Sequence, residues 1–118
     1  MALKVKETTF SARDTLRITS SSDAIPMKEV LDGTEINYVG HVITEITNER
    51  TGEVFDSIIV KEDDGTLYAT RSDSFRKALI EIINTIAEFG DYSEEPIVLK
   101  VRHLKSRSGN TFVTCQLA

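Results

Sequence analysis

The stretch VFDSIIVKEDDGTLYATRSDSFRKALIEIINTIAEF, residues 54–89, holds two hydrophobic periods and the switch between them. Its first part crowds Val54, Phe55, Ile58, Ile59 and Val60 into the run Val54–Lys61, and a second short run follows at Leu67–Thr70. Both are rich in β-branched and aromatic residues. The Asp64-Gly65 pair between them supplies a tight turn, so the two read as a hairpin. From Phe75 the spacing changes. Phe75, Leu79, Ile82, Ile83 and Ile86 recur at i, i+4, i+7, i+8 and i+11, which is one face of a helix. Arg76, Lys77, Glu81, Asn84 and Glu88 fall largely on the other side. Ser72 or Asp73 can cap the first turn, and Gly90 can stop the last. The pattern predicts a helix from about Asp73 to Phe89.

Strands flank this unit on both sides. Upstream, Glu35–Thr47 is a long β-rich run joined to Val54–Lys61 by a turn at Gly52. Gly40 lies inside that run, where a glycine marks a bulge or sharp bend. Downstream of Pro96 the period returns to two. Ile97, Leu99 and Val101 alternate with Val98, Lys100 and Arg102, and Val113, Cys115 and Leu117 alternate with Phe112, Thr114 and Gln116. The Ser106–Asn110 turn makes these a final hairpin. Three antiparallel strands, a helix and two more strands is the order of the OB-fold, a five-stranded, partly open antiparallel barrel with its helix between strands three and four. The pattern alone leaves other α+β folds open. Residues 1–30 read as a peripheral segment with β-like pieces at Lys4–Phe10 and Thr15–Thr19, so the 118 residues form one mainly β domain.

Composition narrows the function. No stretch approaches the ~20 apolar residues that span a bilayer. Met1–Phe10 lacks a signal-peptide core, which points to a cytoplasmic protein. The lone cysteine, Cys115, permits no internal disulfide and no thiolate metal cluster. The net charge of −5 argues against a polyanion as partner, but its distribution does not. Residues 97–118 carry Lys100, Arg102, Lys105 and Arg107 and no acid. Affinity for a polyanion follows the charge that faces it, not the sum.

Enzymatic chemistry finds little footing. The two histidines, His41 and His103, have no metal-ligand spacing, and no nucleophile or phosphate-loop motif occurs. The chain therefore reads as a non-enzyme without cofactor or metal. The densest acidic cluster, Glu62-Asp63-Asp64-Gly65, suits a hairpin turn. A metal-dependent hydrolase built on it is the weakest of the alternatives.

The basic hairpin is the sharper signal. Lys100, Arg102, Lys105 and Arg107 are spaced so that an extended strand projects them mostly to one side, where they could track a phosphate backbone. A solvated edge strand has the same look, since lysines also protect sheet edges. Exposed rings would add stacking platforms, because every base offers a π-face. If Leu67 and Ala69 face the core, Tyr68 faces out. Phe112 shares a face with Thr114 and Gln116, and Phe55 with Ser57 and Lys61. Tyr38 is ambiguous, because a bulge at Gly40 resets the alternation. Phe10, Phe75 and Phe89 are assigned to packing and Tyr92 to a loop. Arg50, in the turn after the long strand, and Arg71, after Leu67–Thr70, could extend the cationic path.

Three blocks carry a resemblance. Leu31-Asp32-Gly33-Thr34-Glu35-Ile36, Asp64-Gly65-Thr66-Leu67-Tyr68-Ala69 and Ser108-Gly109-Asn110-Thr111-Phe112-Val113-Thr114-Cys115-Gln116-Leu117 resemble the single-stranded DNA-binding protein of phi29-like phages. The resemblance implies a protein that coats single strands displaced during protein-primed replication of a linear genome. Such a protein shields those strands from nucleases, limits unproductive polymerase binding and helps open duplex. It implies tyrosine contacts to DNA, carried here to Tyr68 alone. The implied partner is single-stranded DNA in the host cytoplasm, with phage replication proteins as further candidates, and the protein a monomer or weak homo-oligomer. The alternative is a protein-interaction module whose barrel or helix docks another protein.

Overall fold

The computed structural model describes residues 2–90 and 95–118. Its elements are β1 (Ala2–Thr8), α1 (Ala12–Ser20), β2 (Ile25–Pro26), a 3-10 turn (Met27–Glu29), β3 (Glu35–Thr47), β4 (Val54–Glu62), β5 (Leu67–Thr70), α2 (Asp73–Phe89), β6 (Val98–Lys105) and β7 (Thr111–Leu117). The thirteen residues of β3 are the spine. Their second half pairs with β4 on one edge and β1 on the other, while Glu35–Asn37 pairs with β6. One strand can serve both sheet halves only if it bends. The β3–β4 register slips by one residue between Tyr38 and Gly40, which is that bend.

The sheet runs β2-β5-β4-β3-β6-β7, with β1 beside β3. Among the described residues no ladder joins β5 to β7, so the curl stops short of a closed barrel. Helix α2 fills the opening. Ser72 caps it by accepting the Phe75 N–H, and the same hydroxyl donates to the Val113 carbonyl of β7. Phe75 and Leu79, both fully buried, drop into the gap. The result is a mainly β half-barrel, consistent with an OB-like α+β fold.

Two expectations are corrected. The sheet is seven-stranded and mixed, because β2 runs parallel to β5, where a five-stranded antiparallel barrel was expected. There are also two helices. Thr15–Thr19, read as strand from its β-branched residues, lies in α1. Local capping outweighs propensity there. The Ser11 hydroxyl accepts the Asp14 N–H, Asp14 pairs with Arg17, and Thr15 and Ile18 fall on one buried face at i, i+3 spacing.

The inward residues of the curled sheet form one core: Ile36 and Ile43 of β3, Ile58 and Val60 of β4, Tyr68 of β5, Leu99 and Val101 of β6, and Val113 and Cys115 of β7. Burial pushes the Cys115 thiol up to about 12, so it packs as a neutral apolar group. A second, smaller layer lies on the opposite side of β3. Val42, Thr44, Thr15 and Ile18 are buried there, outside the main cluster. The N-terminal segment is tied down at that point. Thr9 exchanges hydrogen bonds with the His41 backbone, and the Thr8 and Thr15 hydroxyls bond at 2.8 Å. Phe89, expected to pack, is instead 69% exposed as the last residue of α2.

Candidate nucleic-acid interface

Strand alternation sorts the final hairpin. Leu99 and Val101 point inward, which sends Lys100 and Arg102 outward opposite Gln116 and Thr114. Phe112, half-buried, continues this outer face opposite Leu104. Lys105 has the other parity and leaves the sheet on the opposite side, opposite Thr111, and Arg107 stands exposed in the turn. The expectation of four cations on one side is therefore corrected. The step of three between Arg102 and Lys105 crosses the pleat. The face proper holds Lys100, Arg102 and Phe112, and the loop end holds Lys105 and Arg107.

Arg102 is already engaged. Its Nε donates to Asp32 Oδ1 at 3.1 Å, and the same oxygen accepts the His103 backbone N–H at 2.8 Å. These bonds, the backbone one foremost, hold the Asp32 carboxyl below its usual range. Lys100, Lys105 and Arg107 have no acidic partner among the described residues. Asp32 thus competes with any phosphate for Arg102. Asp32→Asn keeps the acceptor for His103 and removes the charge. It is expected to tighten single-strand binding a few-fold and steepen its salt dependence. Salt-titrated fluorescence anisotropy measures both, and wild-type behaviour would take Arg102 out of the interface.

A second group sits where β4 begins and β5 ends. The Arg71 guanidinium lies 3.6 Å from the centroid of the Phe55 ring, a stacked cation–π pair. Phe55 is half-buried on the outer face, the side its parity with Ser57 predicts, and Arg71 is exposed. Arg50 stands exposed in the β3–β4 turn. Neither arginine has an acidic partner among the described residues. Nearby Lys6 and Arg76 both reach Asp56, at 3.1 and 2.8 Å, and so tie β1 and α2 to β4.

The tyrosines are the main correction. Tyr68 is only 9% exposed and faces inward opposite Val60, while Leu67 and Ala69 take the outer side. Its hydroxyl donates to Glu62 Oε1 at 2.9 Å, and Glu62 Oε2 accepts the Asn37 N–H. Desolvation first, then the Glu62 bond, pushes the Tyr68 phenol up to about 12. Parity was read with the small residues inside. A large ring with a polar tip is the better core filler when a carboxylate at the rim accepts its hydroxyl. Tyr38 is half-buried, its oxygen 2.6 Å from His41 Nδ1, and His41 Nε2 lies 2.7 Å from Glu7 Oε2. This chain anchors β1 to the bend of β3. Tyr92 falls outside the described residues. The acidic turn also has structural work: Asp64 accepts the Thr66 N–H while Glu62 holds Tyr68.

Phe10 packs as expected, but neither its seat on Gly40 nor the Asp32–Arg102 pair is given by the local sequence. Asp32 meets Arg102 across 70 positions. Phe10 lies over Gly40 with Lys61 Nζ 5.7 Å from its ring. No local pattern announces either pairing.

The sheet is curled and incompletely closed, consistent with an OB-like fold, with cations at the β3–β4 and β6–β7 turns and the half-buried rings of Phe55 and Phe112 on its outer side. The chain matches the model of the phage single-stranded DNA-binding protein family over residues 5–118, and it belongs to that family. It is a phage single-stranded DNA-binding protein. Comparison with curated proteins and with solved structures gives no match.

Proposed function

We propose that this protein coats single strands displaced during phage genome replication in the host cytoplasm, without sequence preference, and shields them. The observation that carries this reading is that Lys100, Lys105, Arg107, Arg50 and Arg71, gathered at hairpin turns and beside outward rings, have no acidic partner among the described residues, on a chain whose net charge is −5. Phosphates run along Lys100 and Arg102 on the outer face and meet Lys105 and Arg107 around the turn, while Arg50 and Arg71, toward the other end of β3, make a separate contact. Phe112 and the Phe55–Arg71 stack offer platforms to bases of any identity. Tyr68, in the core, and Tyr38, half-buried against it, are assigned to packing and not to stacking.

The test is anisotropy of labelled homopolymeric and mixed 30-mers, with duplex and RNA as controls, from 50 to 300 mM salt. Comparable affinity for all single strands, a steep salt slope and weak duplex binding are expected. Equal binding of duplex would remove the function, and a strong preference for one sequence would remove non-specific coating.

A further inference from the structure

Between β2 and the β4–β5 edge lies a cleft of about 420 Å³, lined among others by Pro26, Met27, Lys28, Ser57, Ala69 and Arg71. Its origin is the parallel pairing of β2 with β5, Ile25 opposite Tyr68 and Pro26 opposite Ala69. That pairing brings the 3-10 turn, and Lys28 with it, to the end of β5. Pro26 and Ala69 form an apolar floor over the fully buried Met27. Lys28 and Arg71 are exposed at the rim, and neither has an acidic partner among the described residues.

Among the described residues no acid lines this cleft, although the chain has nineteen. Three other clefts each include acids: Glu81 and Glu88, Glu35 and Glu95, or Glu45, Asp56 and Asp73, and Arg71 stands between this cleft and the last of them. Two free cations over an apolar floor suit a ligand with a flat apolar part and an anionic part. The volume falls within the range of small-ligand sites. Arg71 is also pre-set for an anion. Stacking of its flat face on Phe55 leaves the in-plane N–H edges free to fork onto phosphate oxygens.

We propose that this cleft is a nucleotide subsite in which one unit of the bound strand rests its base on Pro26 and Ala69 and its phosphate between Lys28 and Arg71. This rests on the single-strand reading above and adds the segment before the barrel to the binding surface.

Two variants separate the two halves of the site. Ala69→Leu fills the floor without changing charge. It is expected to weaken binding of an oligothymidylate 30-mer about fivefold with an unchanged salt slope. Lys28→Gln is expected to weaken it similarly and to lower the slope by about 0.7, the value for one single-strand phosphate contact. A strand carrying 4-thiothymidine should photocrosslink to wild-type protein within residues 25–28 or 69–71. Should the wild type bind single strands while either variant titrates identically to it, or should crosslinks avoid both segments, the subsite is refuted and the broader reading stands. Should the wild type fail to bind single strands at all, both fall together. Lys28 is exposed, so the second variant and the crosslink remain decisive even if Ala69→Leu folds poorly.

Discussion

Replacing both Lys105 and Arg107 by Glu is expected to weaken single-strand binding about a hundredfold at moderate salt, on the order of tenfold per reversed charge, or about 3 kcal/mol together. Both side chains are exposed, and neither carries an acidic partner that would mask it. Each is therefore open to a phosphate with no internal pair to break first, unlike Arg102. Losing two phosphate contacts should also lower the salt slope by about 1.4. Every sequence should suffer equally, because phosphates carry no sequence information. The net charge change needs its own control. Arg13→Glu with Lys77→Glu makes the same change on the two helices, outside the proposed track, and should cost only a few-fold. Equal losses in the two double variants would mean that overall charge, not a localised track, governs binding.

The second large effect is on stability, at Gly40. A Cβ placed there would lie 2.4 Å from Phe10 Cζ and 2.5 Å from Thr9 Oγ1. Such distances are impossible, so the Phe10 ring and the Thr9 side chain must move aside. Thr9 Oγ1 accepts the His41 N–H at 2.9 Å, and displacing it leaves a buried amide unpaired. Overpacking and the lost bond together put Gly40→Val at about 3 kcal/mol of destabilisation, and Gly40→Ala at roughly half that. Thermal melts should show the melting temperature falling by several degrees per kcal/mol. Adding Phe10→Ala to Gly40→Ala should recover part of the loss, since it removes the nearest clashing ring. An unaltered melting temperature in Gly40→Val would show that Phe10 and Thr9 do not rest on this glycine. Gly40 was expected to bend β3, and the register slip lies there. The tight cover by Phe10 is a further demand on the same residue.

Helix α2 and the two hairpins beside it were legible because each depends on neighbours a few residues away. The i, i+4, i+7 stripe of Phe75, Leu79 and Ile82, the Ser72 cap and the glycine turns are local facts. They hold wherever the chain goes afterwards, and Asp73–Phe89 came out to the residue. Residues 12–20 were misread for a related reason. Their β-branched residues argued for strand, while a cap and one ion pair argued for helix, and burial of Thr15 and Ile18 settled the contest.

The candidate site was harder to read. Residue types and strand parity singled out the cations and rings as candidates, but parity has two solutions until one face is known to be the core. Tyr68 took the inward one because Glu62 waits at the rim to accept its hydroxyl. The positive groups of the last hairpin separated because a pleat assigns sides by odd and even count. Asp32 beside Arg102, Phe10 over Gly40, and Lys28 on the same cleft as Arg71 join distant parts of the chain. Periodicity describes what one segment prefers. Contacts of long sequence separation depend on how the segments curl together, and only the folded sheet brings those partners within reach.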